Sequence, residues 1–282
     1  MMGITSINEK SGTWDADFYL YERWRASPGF TPQTEVVNEA ERHATQFDTT
    51  EMTDGTCQRS RRIRSTLRSA YNLRRFPFDR QSLPLEISDD QFASSDVVYA
   101  GLASPLGFDT EVRAMVSGWK VDDQLGYSRQ PRRFASEMGA PVYDYASFTV
   151  HVSRHVTYHV TKYFLPLLVI VVIAFSVFWI DAADLSSQVT IGVTCVLAAI
   201  AFQLAQAGSL PAISYLTLAD RVYAACYVAI GFAVIETIYS NGLARRGKPA
   251  EAALVDRRCR WVFPAVLVTA IGFSAILAFH NG

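Results

Sequence analysis

Four stretches with almost no charge, 163–180, 189–205, 222–239 and 261–279, read as the apolar cores of four spans of about 163–180, 186–206, 218–240 and 258–279, and constrain the fold of this chain more than any other feature. At about 1.5 Å of rise per residue, close to 20 apolar residues cross a hydrocarbon layer about 30 Å thick. Lipid offers a backbone no hydrogen-bond partners, so such stretches span as helices. The chain is therefore predicted to divide into a transmembrane part, 162–282, and a part rich in charge and turn residues, 1–161.

The connections predict the orientation. Arg245, Arg246, Lys248, Arg257, Arg258 and Arg260 fall between the third and fourth stretches, whereas residues 206–215 contain no basic side chain. Basic residues concentrate on the cytoplasmic side of short loops. The third connection is therefore expected in the cytoplasm, with both chain ends and residues 1–161 outside, in a multi-pass protein of the cell (inner) membrane. The net charge of -1 hides this asymmetry. Glu9 and Lys10 interrupt the start before an apolar leader core forms, so either a leader was removed or the first span does the targeting. Of the four cysteines only Cys57 is external, so no disulfide is expected within residues 1–161.

In the external part the apolar period is two. Residues 17–21, 82–87 and 148–153 alternate, bounded by turn clusters at 53–55 and 88–90. That pattern predicts an immunoglobulin-like β-sandwich, making the whole an α+β membrane protein. Residues 39–43 alone read as a helical turn. The arginines from Arg59 to Arg75 read as a solvated strand face; nucleic acid is not expected as a partner.

The second span carries a further pattern. Ser187, Thr190, Thr194, Leu197, Ala201, Leu204 and Gly208 recur at spacings of three and four. This lays them on one helical stripe, polar at one end and apolar at the other, as in a helix beside a water-filled pore. Small residues such as Ala198, Ala199 and Ala201 also suit packing within a bundle.

Several motifs stand in a particular order: Phe76-Pro77-Phe78-Asp79 in the sandwich, Arg154 before the first span, Pro166 inside it, and residues 210–217 (LPAISYLT) after the second. In that order the chain resembles the pentameric ligand-gated ion channels, the Cys-loop receptor superfamily. Ser69 and Leu83 stand where animal members have the bridged cysteines, so the likeness is to the prokaryotic branch. The resemblance implies a homopentamer in a lipid bilayer that conducts inorganic ions, with the stripe around a shared axis. It also implies that Glu9, Phe76, Pro77, Phe78, Asp79, Arg154, Pro211 and Tyr215 couple the sandwich to the pore. An agonist, a small molecule or the proton, would meet aromatics among Phe92, Tyr99, Tyr127, Phe134, Tyr143 and Tyr145. Between Trp24 and Asn38 the chain has too little sequence for a strand and an aromatic loop that relatives carry, and Phe30-Thr31-Pro32 resembles a remnant of that loop.

Asp184 and Ser186, with Asp181 close by, are the selectivity candidates and favour cations, although an aspartate there also suits a helix cap. His151, His155 and His159 recur every four residues, yet the first two lie on a strand, so no metal site is expected and a proton-sensing role fits better. No cofactor is expected. No nucleophile, base and orienting group are spaced together, which argues against an enzyme. The rival reading is a non-conducting, membrane-anchored sensor or scaffold with the same fold.

Overall fold

The computed structural model describes residues 2–100, 116–133, 141–208 and 211–280. Among these, eight strands precede four long helices: β1 (Met2–Asn8), β2 (Thr13–Arg25), β3 (Thr34–Val36), β4 (Glu39–Thr53), β5 (Thr56–Arg68), β6 (Arg80–Asp89), β7 (Trp119–Arg133) and β8 (Val142–Arg154). They form two four-stranded sheets, ordered β1-β2-β5-β4 and β3-β6-β8-β7.

Alternation explains why the sheets close on each other. Along β2, Trp14, Ala16, Phe18 and Leu20 are buried while the residues between them are not. The core joins Trp14, Phe18, Ile63 and Leu67 of one sheet with Leu83, Leu85, Trp119 and Val150 of the other. Two inner faces sharing one core make a β-sandwich. Each large side chain buried there contributes about 1.5–3 kcal/mol, and all four cysteines are free. Core packing carries the stability.

The β4–β5 hairpin turns at Asp54 (φ 49°) and Gly55 (φ 73°). Two left-handed residues match the strand twist. Residues 39–43 are strand rather than helical turn, because they pair with β5 through Glu39 opposite Leu67 and Arg42 opposite Ser65. One isolated helical turn costs more to nucleate than it returns. The segment after Trp24, expected to lack room for both a strand and an aromatic loop, holds the three-residue β3, paired with β6. Phe30 packs on Phe92, ring centroids 5.0 Å apart. Nor are the β5 arginines merely solvated. Arg59 pairs with Asp48 at 2.7 Å, Arg61 with Glu22 at 2.8 Å, and Arg62 and Arg64 both with Asp17 at 2.8 Å.

The second compact unit holds Asn72–Asp79 and everything from Val156 onward. Its helices are α1 (Val156–Trp179), α2 (Leu185–Ala207), α3 (Leu218–Arg245) and α4 (Pro249–His280), and all four are long and apolar enough to span a membrane. The unit starts at Val156 rather than 162, because hydropathy marks where charge ends, not where helix begins. For the same reason α3 and α4 run through the charged 241–256 segment, interrupted only by the turn at Arg246–Lys248. In α1 a π turn, Val160–Phe164, precedes Pro166. Proline lacks an N–H and its ring crowds the carbonyl four residues back, so the helix widens there. Thr217 and Asp220 form a capping box that starts α3: each side chain accepts from the other's backbone N–H, at 3.1 and 3.0 Å.

Candidate functional site

Helix α2 begins at Asp184, whose Oδ1 accepts from the Ser187 amide at 3.2 Å. Hydrogen bonds from Ser187 hold its carboxyl below the usual aspartate range. Asp181 likewise accepts from the Ala183 amide at 2.9 Å. Both aspartates therefore organise the helix start as the capping alternative expects, and both remain exposed. Ser186 is exposed beside them.

One face of α2 is buried within the protomer at Gln188, Gly192, Cys195 and Ala199. Gln188 Nε2 donates to the carbonyls of Val177 and Ile180 at 3.3 and 3.2 Å, satisfying the end of α1. At Gly192 the backbone approaches α3 so closely that a Cβ would overlap Val234. The opposite stripe, Ser187, Thr190, Thr194, Leu197, Ala201, Leu204 and Gly208, is exposed throughout, Leu197 by 62 % and Leu204 by 69 %. Both threonine hydroxyls donate to the preceding turn, Thr190 to the Ser186 carbonyl and Thr194 to the Thr190 carbonyl, at 2.7 Å. A hydroxyl so engaged keeps its oxygen lone pairs free to accept.

Arg154 ends β8. Its side chain is almost fully buried and bonds Glu9, on the β1–β2 turn, through two contacts of 2.8 and 2.9 Å. Its guanidinium lies 4.2 Å from the centroid of Trp119. Sequence reasoning missed Trp119. The β7–β8 register sets it opposite Arg154, and no local pattern reveals a cross-strand partner 35 residues away.

The loop Asn72–Asp79 packs with the helices. Leu73 N–H donates to Tyr215 OH at 3.0 Å, and Arg74 accepts from the Leu218 amide at 2.9 Å. Arg75 donates to the Phe279 carbonyl at 2.9 Å, near the end of α4. Phe76 is 1 % exposed, its ring edge-on to His159 and Tyr163 at 5.4 and 5.5 Å. It precedes a cis bond to Pro77. Phe78 is half exposed and lines an apolar cavity of about 600 Å³ with Phe164, Leu168, Val222, Leu267 and Ile271. Asp79 is buried, and Pro211 is partly buried between α2 and α3. Leu210 lies outside the described residues.

Among the described residues, the five candidate ligand aromatics Phe92, Tyr99, Tyr127, Tyr143 and Tyr145 do not line one cavity within a protomer. Tyr99 and Tyr127 share a cavity of about 800 Å³ inside the sandwich with Trp24, Phe30, Phe148 and Glu22. Burial pushes the Tyr99 phenol up from its ordinary range. Phe92 instead covers Phe30, and Tyr145 is buried under Arg132, 5.1 Å from its ring centroid. Tyr143 is partly buried on β8, outside that cavity. Phe134 lies outside the described residues. The three histidines do not converge: His151 meets the Ser82 hydroxyl at 3.1 Å, His155 is exposed, and His159 joins the Phe76 cluster. Among the described residues no group of three histidine, cysteine or acidic side chains is placed to hold a metal.

A β-sandwich followed by four membrane-length helices, one of which turns a hydroxyl and leucine stripe away from its own bundle, defines a multi-pass membrane protein of receptor build. Residues 163–252 match the transmembrane region of the neurotransmitter-gated ion channels. The chain is 28 % identical to a proton-gated ion channel of Gloeobacter violaceus, over 88 % of this chain and 67 % of that protein. It is 26 % identical to pH-sensitive chloride channel 2 of Drosophila melanogaster, over 76 % of this chain and 41 % of the other. It is 28 % identical to the gamma-aminobutyric acid receptor subunit alpha-2 of Rattus norvegicus, over 69 % and 42 %. The chain thus spans about two thirds of the first relative's length and about two fifths of the other two. Over residues 163–252 the chain matches the neurotransmitter-gated channels, and its similarity to the Cys-loop superfamily of pentameric ligand-gated ion channels, a family of channels and not of enzymes, extends into the sandwich.

Proposed function

We propose that the protein is a subunit of a homopentameric, cation-conducting channel of the cell membrane, opened by an external signal acting on the sandwich. The observation that carries this reading is the stripe on α2. Five copies of Thr190 and Thr194 would surround an aqueous axis with acceptor oxygens, and rings of Leu197 and Leu204 would form constrictions that close by dewetting. Membrane-spanning helices that bury this face in their own bundle would have no such use for it.

Cation passage is supported by the hydroxyl oxygens along the stripe and by the exposed carboxylates of Asp181 and Asp184 beside Ser186 at one helix end. The proton is the favoured agonist, because two of the relatives respond to pH by name. Residues 1–161 would face outward and the α3–α4 connection the cytoplasm, as the basic residues favour. Coupling would run through Glu9 and Arg154 at the sandwich end, and through Phe76 to Asp79, Pro211 and Tyr215 beside the helices. An agonist opens such a channel only by binding the open state better.

Purified protein in planar bilayers tests the reading. Currents that rise as the sandwich side is acidified, with a reversal potential following the cation gradient, are expected. Reversal that follows chloride would overturn the selectivity. Silence from the wild type and from Leu197→Ser alike would favour the non-conducting sensor.

A further inference from the structure

Two carboxyl groups meet where α3 packs on α4. Glu236 is 9 % exposed and Asp256 6 %. Neither oxygen of Glu236 has a hydrogen-bond donor. Its neighbours are the Asp256 carboxyl and the Cys259 thiol. Asp256 receives one bond, from the Ser240 hydroxyl at 2.7 Å, one turn along α3 from Glu236.

Apart from the Ser240 hydroxyl on Asp256 and the weakly donating Cys259 thiol beside Glu236, the surrounding donors are engaged elsewhere. Thr237 donates to the Val234 carbonyl, Asn241 to the Ala182 carbonyl, and Arg260 to the Phe178 carbonyl while stacking on Trp179. Arg257 and Arg258 are exposed. Neither carboxyl forms an ion pair among the described residues. Two ionised carboxylates cannot lie side by side in a buried site without a cation or a donor between them. A single proton resolves the conflict: the acid becomes the donor that its neighbour lacks, in a short charge-assisted bond.

We propose that Glu236 and Asp256 form a proton-binding site, one O–H···O⁻ bond that fastens α4 to α3. When the proton leaves for water, two carboxylates remain and repel, and the helices loosen. Intramembrane acidic residues on adjoining helices recur where protons are handled. The site rests on the membrane-spanning placement of α3 and α4 and not on conduction, so it stands or falls separately from the channel reading.

Infrared difference spectroscopy on the full chain in lipid vesicles detects the carbonyl stretch of a protonated carboxyl. The wild type should show that band at neutral pH, and Glu236→Gln and Asp256→Asn should each abolish it. Thermal unfolding supplies an independent measure. A proton held by the folded chain and released on unfolding makes stability fall as pH rises, and either amide variant should flatten that fall. If the wild type lacks the band, or if both amide variants keep it, the site does not exist. Should one variant fail to fold, the other decides.

Discussion

Arg154 presents its two terminal nitrogens to the two carboxylate oxygens of Glu9, at 2.8 and 2.9 Å, while the Trp119 ring lies 4.2 Å from the guanidinium. Such a fork is directional, and lysine, a point charge on a flexible stem, does not reproduce it.

Breaking this pair leaves the other charge nearly buried. Arg154→Ala should therefore destabilise the protein by about 3 kcal/mol, read from thermal or denaturant unfolding. Arg154→Lys should retain part of the stability while weakening agonist response, and Glu9→Gln should fall between the two. Wild-type unfolding and wild-type gating in Arg154→Ala would remove the pair from the mechanism.

Asp17 sits between Arg62 and Arg64, and the hydrogen bond from Arg62 holds its carboxyl below the ordinary 3.8. The folded value is the lower one, so the contribution to stability is complete above the unfolded value. It disappears as pH falls through the folded one. Acid titration of the melting temperature below about pH 4 should show this loss, and Asp17→Asn should remove that part of the slope. An unchanged acid limb in Asp17→Asn would place the sensitivity elsewhere.

Leu197→Ser replaces an apolar ring with a wettable one. Spontaneous opening should rise, and the agonist concentration for half-maximal current should drop about tenfold, equivalent to about 1.4 kcal/mol. Thr194→Val removes an acceptor oxygen and should lower single-channel conductance with little effect on stability. If both variants conduct as the wild type does, α2 does not line the pathway.

Gly192 is where α2 and α3 touch most closely. Alanine there would collide with Val234, whose branched side chain has little rotamer freedom in a helix. Gly192→Ala should cost about 1–3 kcal/mol by overpacking, and adding Val234→Ala should recover most of it. Two additive losses would mean that the helices separate without strain.

Helix existence and the α2 stripe were legible because membrane length and a three-to-four spacing are local signals. Helix ends were less so. Val156 to Thr161 and most of the 241–256 segment are helical yet polar, and hydropathy tracks the solvent rather than the backbone. The alternation over 17–21 marked that part of β2 correctly, whereas residues 39–43 misled, because strand pairing with β5 decided their conformation. Trp119 beneath Arg154, and Asp17 between two arginines, depend on register between distant strands. Glu236 and Asp256 gave no signal at all: single acids near the ends of apolar runs look like ordinary boundary charges until two helices bring them together.

The sequence alone determined that four helices cross a membrane, that the preceding part is sheet, and which face of α2 is both hydroxylated and apolar. Each of these follows from periodicity and solvent preference, which act residue by residue. Only the tertiary structure decided which charges meet and which aromatics share a cavity. It also decided that the Phe76 loop packs with the helices although strands flank it in sequence. Contacts of that kind depend on packing between segments far apart in the chain, where a shift of one residue in register sends a side chain to the opposite face.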